Sequence, residues 1–225
     1  ELPANLKAFY DANINGKCPN PKSIEYDSAE GQTDTQYCED PASKALYLKD
    51  NKNGYADLDI DCDGANNSGG KCGNDPTGQG QTAFRDTVKE FGIPDLDANI
   101  HSYIVLGNDN SVEEGDGGEK FDPQSLGIKP LSVVAIVCGG QLFYGVWGDV
   151  NGGKLVGETS MAVGDLCFPN EDLSGNKGHG DHDVLYLAFP GDEALPDSDT
   201  KWKASSTAEF EESLATVGDG LVAKL

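Results

Sequence analysis

Basic charge is scarce in this chain of 225 residues: 16 Lys and Arg stand against 39 Asp and Glu, a formal net charge of -23. A surface of that sign repels phosphate backbones and anionic lipid headgroups. It argues against a nucleic-acid or membrane partner and makes a cationic one the natural complement. Acidic charge also simply keeps a protein in solution, so by itself it names no function. No run of about twenty apolar residues occurs, so no segment is built to cross a bilayer as a helix. No two cysteines stand at C-x-x-C spacing and only three histidines are present, which sets aside the common zinc frameworks. A basic start with an apolar core is missing too, and with six cysteines present this is expected of a processed, secreted chain. Repeats, low-complexity linkers and composition shifts are absent, so a single domain over 1–225 is expected.

What the chain does have is turn chemistry, with 29 glycines and 11 prolines, which favours short strands over long helices. Cys18, Cys38, Cys62, Cys72, Cys138 and Cys167 form an even set and point to disulfides. Locality favours Cys62 with Cys72, then Cys18 with Cys38 and Cys138 with Cys167, while the sequence leaves other pairings open.

Periodicity predicts a helix in "LPANLKAFYDAN", a turn-rich stretch to about residue 44, and strands in "KALYLKD", "GYADLDIDCDG", "HSYIVLGN" and "HDVLYLAFPG". In "TAFRDTVKEFG" one helical stripe carries Phe84, Val88 and Phe91, with Thr82 as the expected cap and Gly92 at the stop. "LSVVAIVCGGQLFYGVWGD" reads as a core hairpin split at Gly139–Gly140, "ETSMAVGDLC" as a helix opened by Glu158, and the last twenty residues as a helix capped by Ser206 or Thr207. The fold class expected is mixed β with peripheral helices (α+β), stabilised by disulfides.

Two stretches carry candidate chemistry. In "FYGVWGDVNGGKLVGETSMA" a strand end delivers Asp149, and a glycine-rich turn returns the chain to Glu158 nine positions on (158 − 149). Two carboxylates held across a groove are what sugar hydrolysis needs, about 5 Å apart for direct attack and roughly 6.5 to 9.5 Å when a water intervenes. Tyr144 and Trp147 are expected to offer aromatic faces to a sugar ring, and Asn151 a hydrogen-bonding amide. In "DLDIDCDG", Asp57, Asp59, Asp61 and Asp63 alternate with apolar residues, a row about 6.6 Å apart along one face. Three readings stay open for that row: a solvated edge strand, a groove for a polycation, or the opening of a calcium loop. Against the last, position twelve from Asp59 is Gly70 and not the bidentate glutamate. Ser160 lacks a nucleophile elbow, and "HGDH" is read as a glycine-rich loop ahead of a metal pair.

The segments "DLDIDCDGANNSGGKCGNDPTGQGQTAF", "KPLSVVAIVCGGQLFYGVWGDVNGG", "GETSMAVGDLCFPN" and "KWKASSTAEFEESL" resemble the secreted fungal endo-chitosanases of glycoside hydrolase family 75. The resemblance implies endo-hydrolysis of β-1,4 glucosamine linkages in chitosan with inversion, and a catalytic pair falling on Asp149 and Glu158. It further implies no cofactor and a compact β-barrel core similar to the double-psi barrels; no metal is expected at the site. The expected protein is an extracellular monomer with Asp57, Asp59, Asp61, Tyr144, Trp147 and Asn151 binding substrate. Asp149, after an apolar run, is expected to be the acid, and Glu158, at a helix start, the base, with the reverse open. The rival class is a polysaccharide-binding or wall-loosening module without catalysis, or a calcium-dependent adhesion module.

Overall fold

The computed structural model describes residues 2–29, 31–111 and 119–225. Helix α1 (Ala4–Asn13) leads into a hairpin of β1 (Pro21–Ala29) and β2 (Gln32–Glu39), then β3 (Leu46–Asp50) and β4 (Ala56–Asp61). The hairpin lies where turns were expected. Its residues show no apolar alternation, and only Tyr26 and Ser28 are buried along β1, so period gave no warning. A one-turn helix α2 (Arg85–Val88) runs into a 3₁₀ turn that stops at Gly92 in left-handed conformation, as expected. Its cap is Phe84 rather than Thr82, whose hydroxyl donates instead to Asp95 Oδ1 at 2.6 Å, and Phe91 stays exposed, stacked on Trp202.

Then come β5 (Tyr103–Asn108), the hairpin β6 (Val133–Cys138) and β7 (Gln141–Asn151), and a three-residue strand β8 (Glu158–Ser160). Helix α3 (Met161–Cys167), β9 (His179–Ala188) and helix α4 (Thr207–Val222) complete the chain. Most of the acidic stretch "SVEEGDGGEKFD" falls outside the described residues.

All nine strands join one sheet in the order β1-β2-β3-β9-β4-β8-β5-β7-β6, and β6 also pairs with β9. The last six strands therefore close into a ring, with β1–β3 extending from β9 as a wing. Two of its six pairings are parallel (β4 with β8, β5 with β7) and four are antiparallel. β4 is thus no edge strand. It sits between β9 and β8, and both its faces are covered: Asp57 is 5% exposed, and Asp59 and Asp61 are half-buried.

The core runs through Leu58, Ile60, Tyr103–Leu106, Val133–Val137, Val146, Trp147 and Val184–Phe189. Removing a side chain of this kind from water contributes about 1.5–3 kcal/mol. Helix α4, capped by Ser206, lays Phe210, Leu214, Gly218 and Leu221 on β6 and β7 at helical spacing. Disulfides Cys18–Cys38, Cys62–Cys72 and Cys138–Cys167 pin the approach to the wing, the turn after β4, and the β6–β7 tip to the end of α3. The result is a single compact domain of mixed sheet, four helices and three disulfides among the described residues. None of those helices is long and apolar enough to cross a membrane.

Candidate active site

The carboxyl of Asp149 is placed by an irregularity in β7. Opposite the consecutive residues Ile104 and Val105 of β5, β7 sets Trp147 and Asp149, with Gly148 as the extra residue between them. Such a bulge re-aims the side chains after it. A Cβ at position 148 would lie 2.6 Å from that of Tyr103, so the close approach requires glycine. Trp147 turns into the core, where its Nε1 donates to the carbonyls of Leu106 and Asp149 at 3.0 and 2.8 Å. Asp149 turns to the cleft, only 5% exposed. Its Oδ1 accepts from the backbone N–H of Ala83 (2.8 Å) and Val150 (2.7 Å), and its Oδ2 is buried with no donor.

Glu158 stands at the first position of β8, opposite Asp59 of β4. It does not open a helix, as the sequence had suggested: α3 begins at Met161, and its cap is Ser160, whose Oγ accepts from the N–H of Val163. The macrodipole argument for an ionised Glu158 therefore fails. Asn151 Nδ2 donates to Glu158 Oε2, while Gly153 N–H donates to Asn151 Oδ1 at 2.6 Å. Gly157, just before it, has φ +102°, a conformation suited to glycine.

Asp149, Asn151 and Glu158 line one cleft of about 520 Å³, with Asp61 at the end of β4, Asp63 just past it, the stretch around Thr77, Gln79 and Ala83, Val105 and the 152–155 loop. Burial pushes the Glu158 carboxyl up to about 8, helped by the charges of Asp59, Asp149 and Asp63 and opposed by the Asn151 amide. Burial likewise raises Asp149 to about 7 against the pull of its two backbone donors, with Asp63 and Asp95 adding repulsion. Two carboxyls that hold protons near neutrality in one cleft can exchange them with a bound molecule. The family comparison fits this chemistry.

Residues 58–224 match the family described as "Fungal chitosanase of glycosyl hydrolase group 75". An endo-chitosanase of Aspergillus fumigatus is 52% identical over 227 residues, spanning 100% of this chain and 91% of that protein. An endo-chitosanase of Aspergillus oryzae (strain ATCC 42149 / RIB 40) is 51% identical over 229 residues, spanning 100% and 92%. An endo-chitosanase B of the same strain is 48% identical over 230 residues, with the same two shares.

The chain belongs to the fungal chitosanases of glycosyl hydrolase group 75. It is a glycoside hydrolase.

In this group 75 chain several expected contacts lie elsewhere. Tyr144 and Trp147 are 4% and 1% exposed, so neither ring is an open face for a sugar. Helix α4 covers Tyr144: a Cβ at Gly218 would meet that ring at 2.3 Å, and the Tyr144 hydroxyl donates to Asp219 Oδ1. Phe84 sits edge-on to Trp147 at 4.9 Å. Asp57 and Asp59 are outside the cleft lining, with burial raising Asp57 to about 8. Asp61 and Asn151 do line it.

The "HGDH" stretch belongs to β9, with His179 stacked on Phe168 and bonded to Glu171, away from the cleft. Sequence reading missed Asp63 as a close neighbour of Asp149, and missed the Ala83 N–H that holds Asp149. A backbone donor leaves no mark in the residue type, so that contact had no signal to find. Asp61, Asp63 and Asp149 each bring an oxygen to within 4.8 Å of the others, spacing that a cation could bridge, but Asp149 comes from another strand and Gly70 still replaces the calcium-loop glutamate.

Proposed function

We propose that this protein cleaves chitosan internally at β-1,4 glucosamine linkages, with inversion at the anomeric carbon, through Asp149 and Glu158. The observation that carries the reading is a buried Asp149 and a half-buried Glu158, both proton-retaining, in one acidic cleft, in a chain about half identical to endo-chitosanases along its whole length.

Glu158 is the acid. Its carboxyl has the higher proton affinity of the two, about 8, and gives its proton to the glycosidic oxygen as the C1–O bond breaks. Asp149 is the base: two backbone N–H groups favour its ionised form, and it takes a proton from the water whose oxygen attacks C1 from the opposite face. Solvent then removes the proton from Asp149 and returns one to Glu158. This reverses the roles that the helix-start argument had favoured.

Protonated glucosamine amines are the cationic partner that the charge of -23 calls for, with Asn151, Asp63 and Asp109 at hand in the cleft. Asp57 lies against Gly157, Asp59 pairs with Glu158 across the ladder and Trp147 donates to the Asp149 carbonyl, so these three support the site from behind, while Tyr144 packs under α4. We take the six-strand ring to be a relative of the double-psi barrel, and the enzyme to be an extracellular monomer without cofactor, nucleic-acid or membrane partner. Three disulfides suit an oxidising compartment. Exposed large apolar side chains among the described residues are limited to Ile24, Phe91 and Leu155, which suits a monomer.

The test is viscosity loss and oligomer sizing on soluble chitosan, with proton NMR of the earliest product. A rapid fall in viscosity with the α-anomer first is expected. An intact polymer would return the chain to the binding-module reading, and initial β-anomer would require a covalent intermediate on one carboxyl.

A further inference from the structure

Ala83 stands exposed on the rim of the cleft, yet its backbone N–H lies 2.8 Å from Asp149 Oδ1. An exposed alanine has too little side chain to keep an amide on target by packing. Its two neighbours supply the grip. Phe84 lies edge-on to Trp147, whose indole N–H donates to the Asp149 carbonyl. Thr82 is buried, and both its donors end on the Asp95 carboxyl: the backbone N–H on Oδ2 at 2.9 Å and the hydroxyl on Oδ1 at 2.6 Å. Two hydrogen bonds from one residue to the two oxygens of one carboxyl fix orientation as well as distance.

Asp95 is itself buried and fastened. Its Oδ1 also accepts from Leu96 N–H at 2.8 Å, and the Leu96 carbonyl accepts from Ala65 N–H at 2.7 Å. The packing around this segment is close. A Cβ at Gly64 would meet the Leu96 carbonyl oxygen at 2.3 Å and the Thr82 methyl at 3.2 Å, and one at Gly148 would meet a Leu96 methyl at 2.7 Å. Residues 95–96 therefore touch both the loop that carries Ala83 and the bulge that carries Asp149. The Asp95 side chain is not part of the cleft lining, so it has no direct access to substrate there.

We infer that Asp95 is a positioning residue for the base: by holding Thr82 at both donors it aims the Ala83 N–H at Asp149 Oδ1. The inference rests on the proposed role of Asp149 and adds a link behind it. Burial pushes the Asp149 carboxyl up to about 7, and the Ala83 and Val150 N–H groups pull against that rise. The other titratable groups around Asp149 are Asp61 and Asp63 at the end of β4, Glu158 from β8, Tyr103 from β5 and Asp95 itself; Lys154 lines the same cleft.

Thr82→Val keeps shape and charge and removes the hydroxyl donor. Its kcat should fall about tenfold with KM for glucosamine oligomers held, and the acidic limb of the pH profile, set by Asp149, should move up by about one pH unit. The sign follows because a carboxyl that loses a donor to its ionised form holds its proton to higher pH. Thr82→Ser restores the donor and should lose only a few-fold in kcat. Asp95→Asn sets an amide NH₂ where Thr82 needs an acceptor and should match Thr82→Val in kcat. The double variant should lose no more than either alone, since both break one link. Amide proton NMR of the free protein reads the contact without activity. In wild type the Ala83 and Val150 amide protons should both shift as Asp149 titrates at about 7. In Thr82→Val the Ala83 response should shrink while that of Val150 stays, and Asp95→Asn carries the same readings if Thr82→Val does not fold.

The proposal is overturned if the wild-type Ala83 amide ignores the titration of Asp149, or if Thr82→Val keeps the wild-type kcat, pH profile and Ala83 response and loses only melting temperature. A raised KM at unchanged kcat would make Thr82 a substrate contact instead. An acidic limb that moves down in Asp95→Asn at unchanged kcat would mean that Asp95 acts by its charge alone. Asp149→Asn separates the two levels: if it stays active, the role of Asp149 fails and the inference with it. If it is inactive while Thr82→Val is unaltered, the inference alone fails.

Discussion

Asn151 donates its side-chain amide to Glu158 Oε2 across the loop that joins β7 to β8, and Gly153 N–H fixes the orientation of that amide. The acid is therefore held from the same strand end that carries Asp149. Hydrogen bonds to charged groups are worth about 1.5–3 kcal/mol, so Asn151→Ala should lower kcat by about tenfold or more. Because the amide favours the ionised acid, its loss should also move the basic limb of the pH profile upward. An unaltered kcat and profile would show that Asn151 serves only the loop.

Asp149→Asn and Glu158→Gln should each lose about 10²- to 10⁴-fold in kcat, the span of general acid–base assistance. Both replace a carboxyl that is neutral at low pH by a neutral amide, so melting curves at pH 5 should match wild type. Retention of more than about a tenth of the turnover by either variant, well short of that span, would remove the residue from the pair.

In the free protein Asp149 and Glu158 should titrate at about 7 and about 8, readable by carboxyl carbon NMR. An ammonium group beside a carboxylate favours the ion, so glucosamine oligomers should move both values down. The kcat profile, which reports the complex, should accordingly lie at lower pH than the free-protein titrations. Values that rise or stay still on binding would mean that the amines sit away from the pair.

Asp57 offers a stability test outside the cleft. Its carboxyl is raised from 3.8 to about 8, by burial first and then by Asp59. The folded state therefore holds a proton that the unfolded chain has released, and stability is lost as pH rises from about 4 through about 8. Asp57→Asn has no proton to lose. The difference in melting temperature, variant minus wild type, should be more positive at pH 8 than at pH 5. Equal differences at the two pH values would mean that Asp57 ionises normally.

Local sequence determined a good deal of this protein. The alternation in "GYADLDIDCDG" and the apolar runs around Gly139–Gly140 specify β4, β6 and β7, because a strand that must bury side chains writes its period into neighbouring residues. Locality favoured the near pairs Cys18–Cys38, Cys62–Cys72 and Cys138–Cys167, because short loops close at the lowest entropic cost, but other pairings stayed open until the fold brought these sulfurs together. Asp149 and Glu158 could be picked out as carboxyls flanking a glycine-rich turn. Their neighbours could not.

Ring closure decided the rest. Pairing β4 with β8 and β5 with β7 set Asp61, Asp63, Asp149 and Glu158 around one cleft, although Asp61 and Glu158 are far apart in the chain. The three residues of β8 are too few to show a period, so Glu158 read as a helix start until two neighbouring strands claimed it. Tyr144 and Trp147 carry nothing in their own segment to say that Gly218 of α4 and Phe84 would cover them. Whether an aromatic ring or a carboxyl meets water depends on what packs against it from distant parts of the chain, and that is a property of the closed fold.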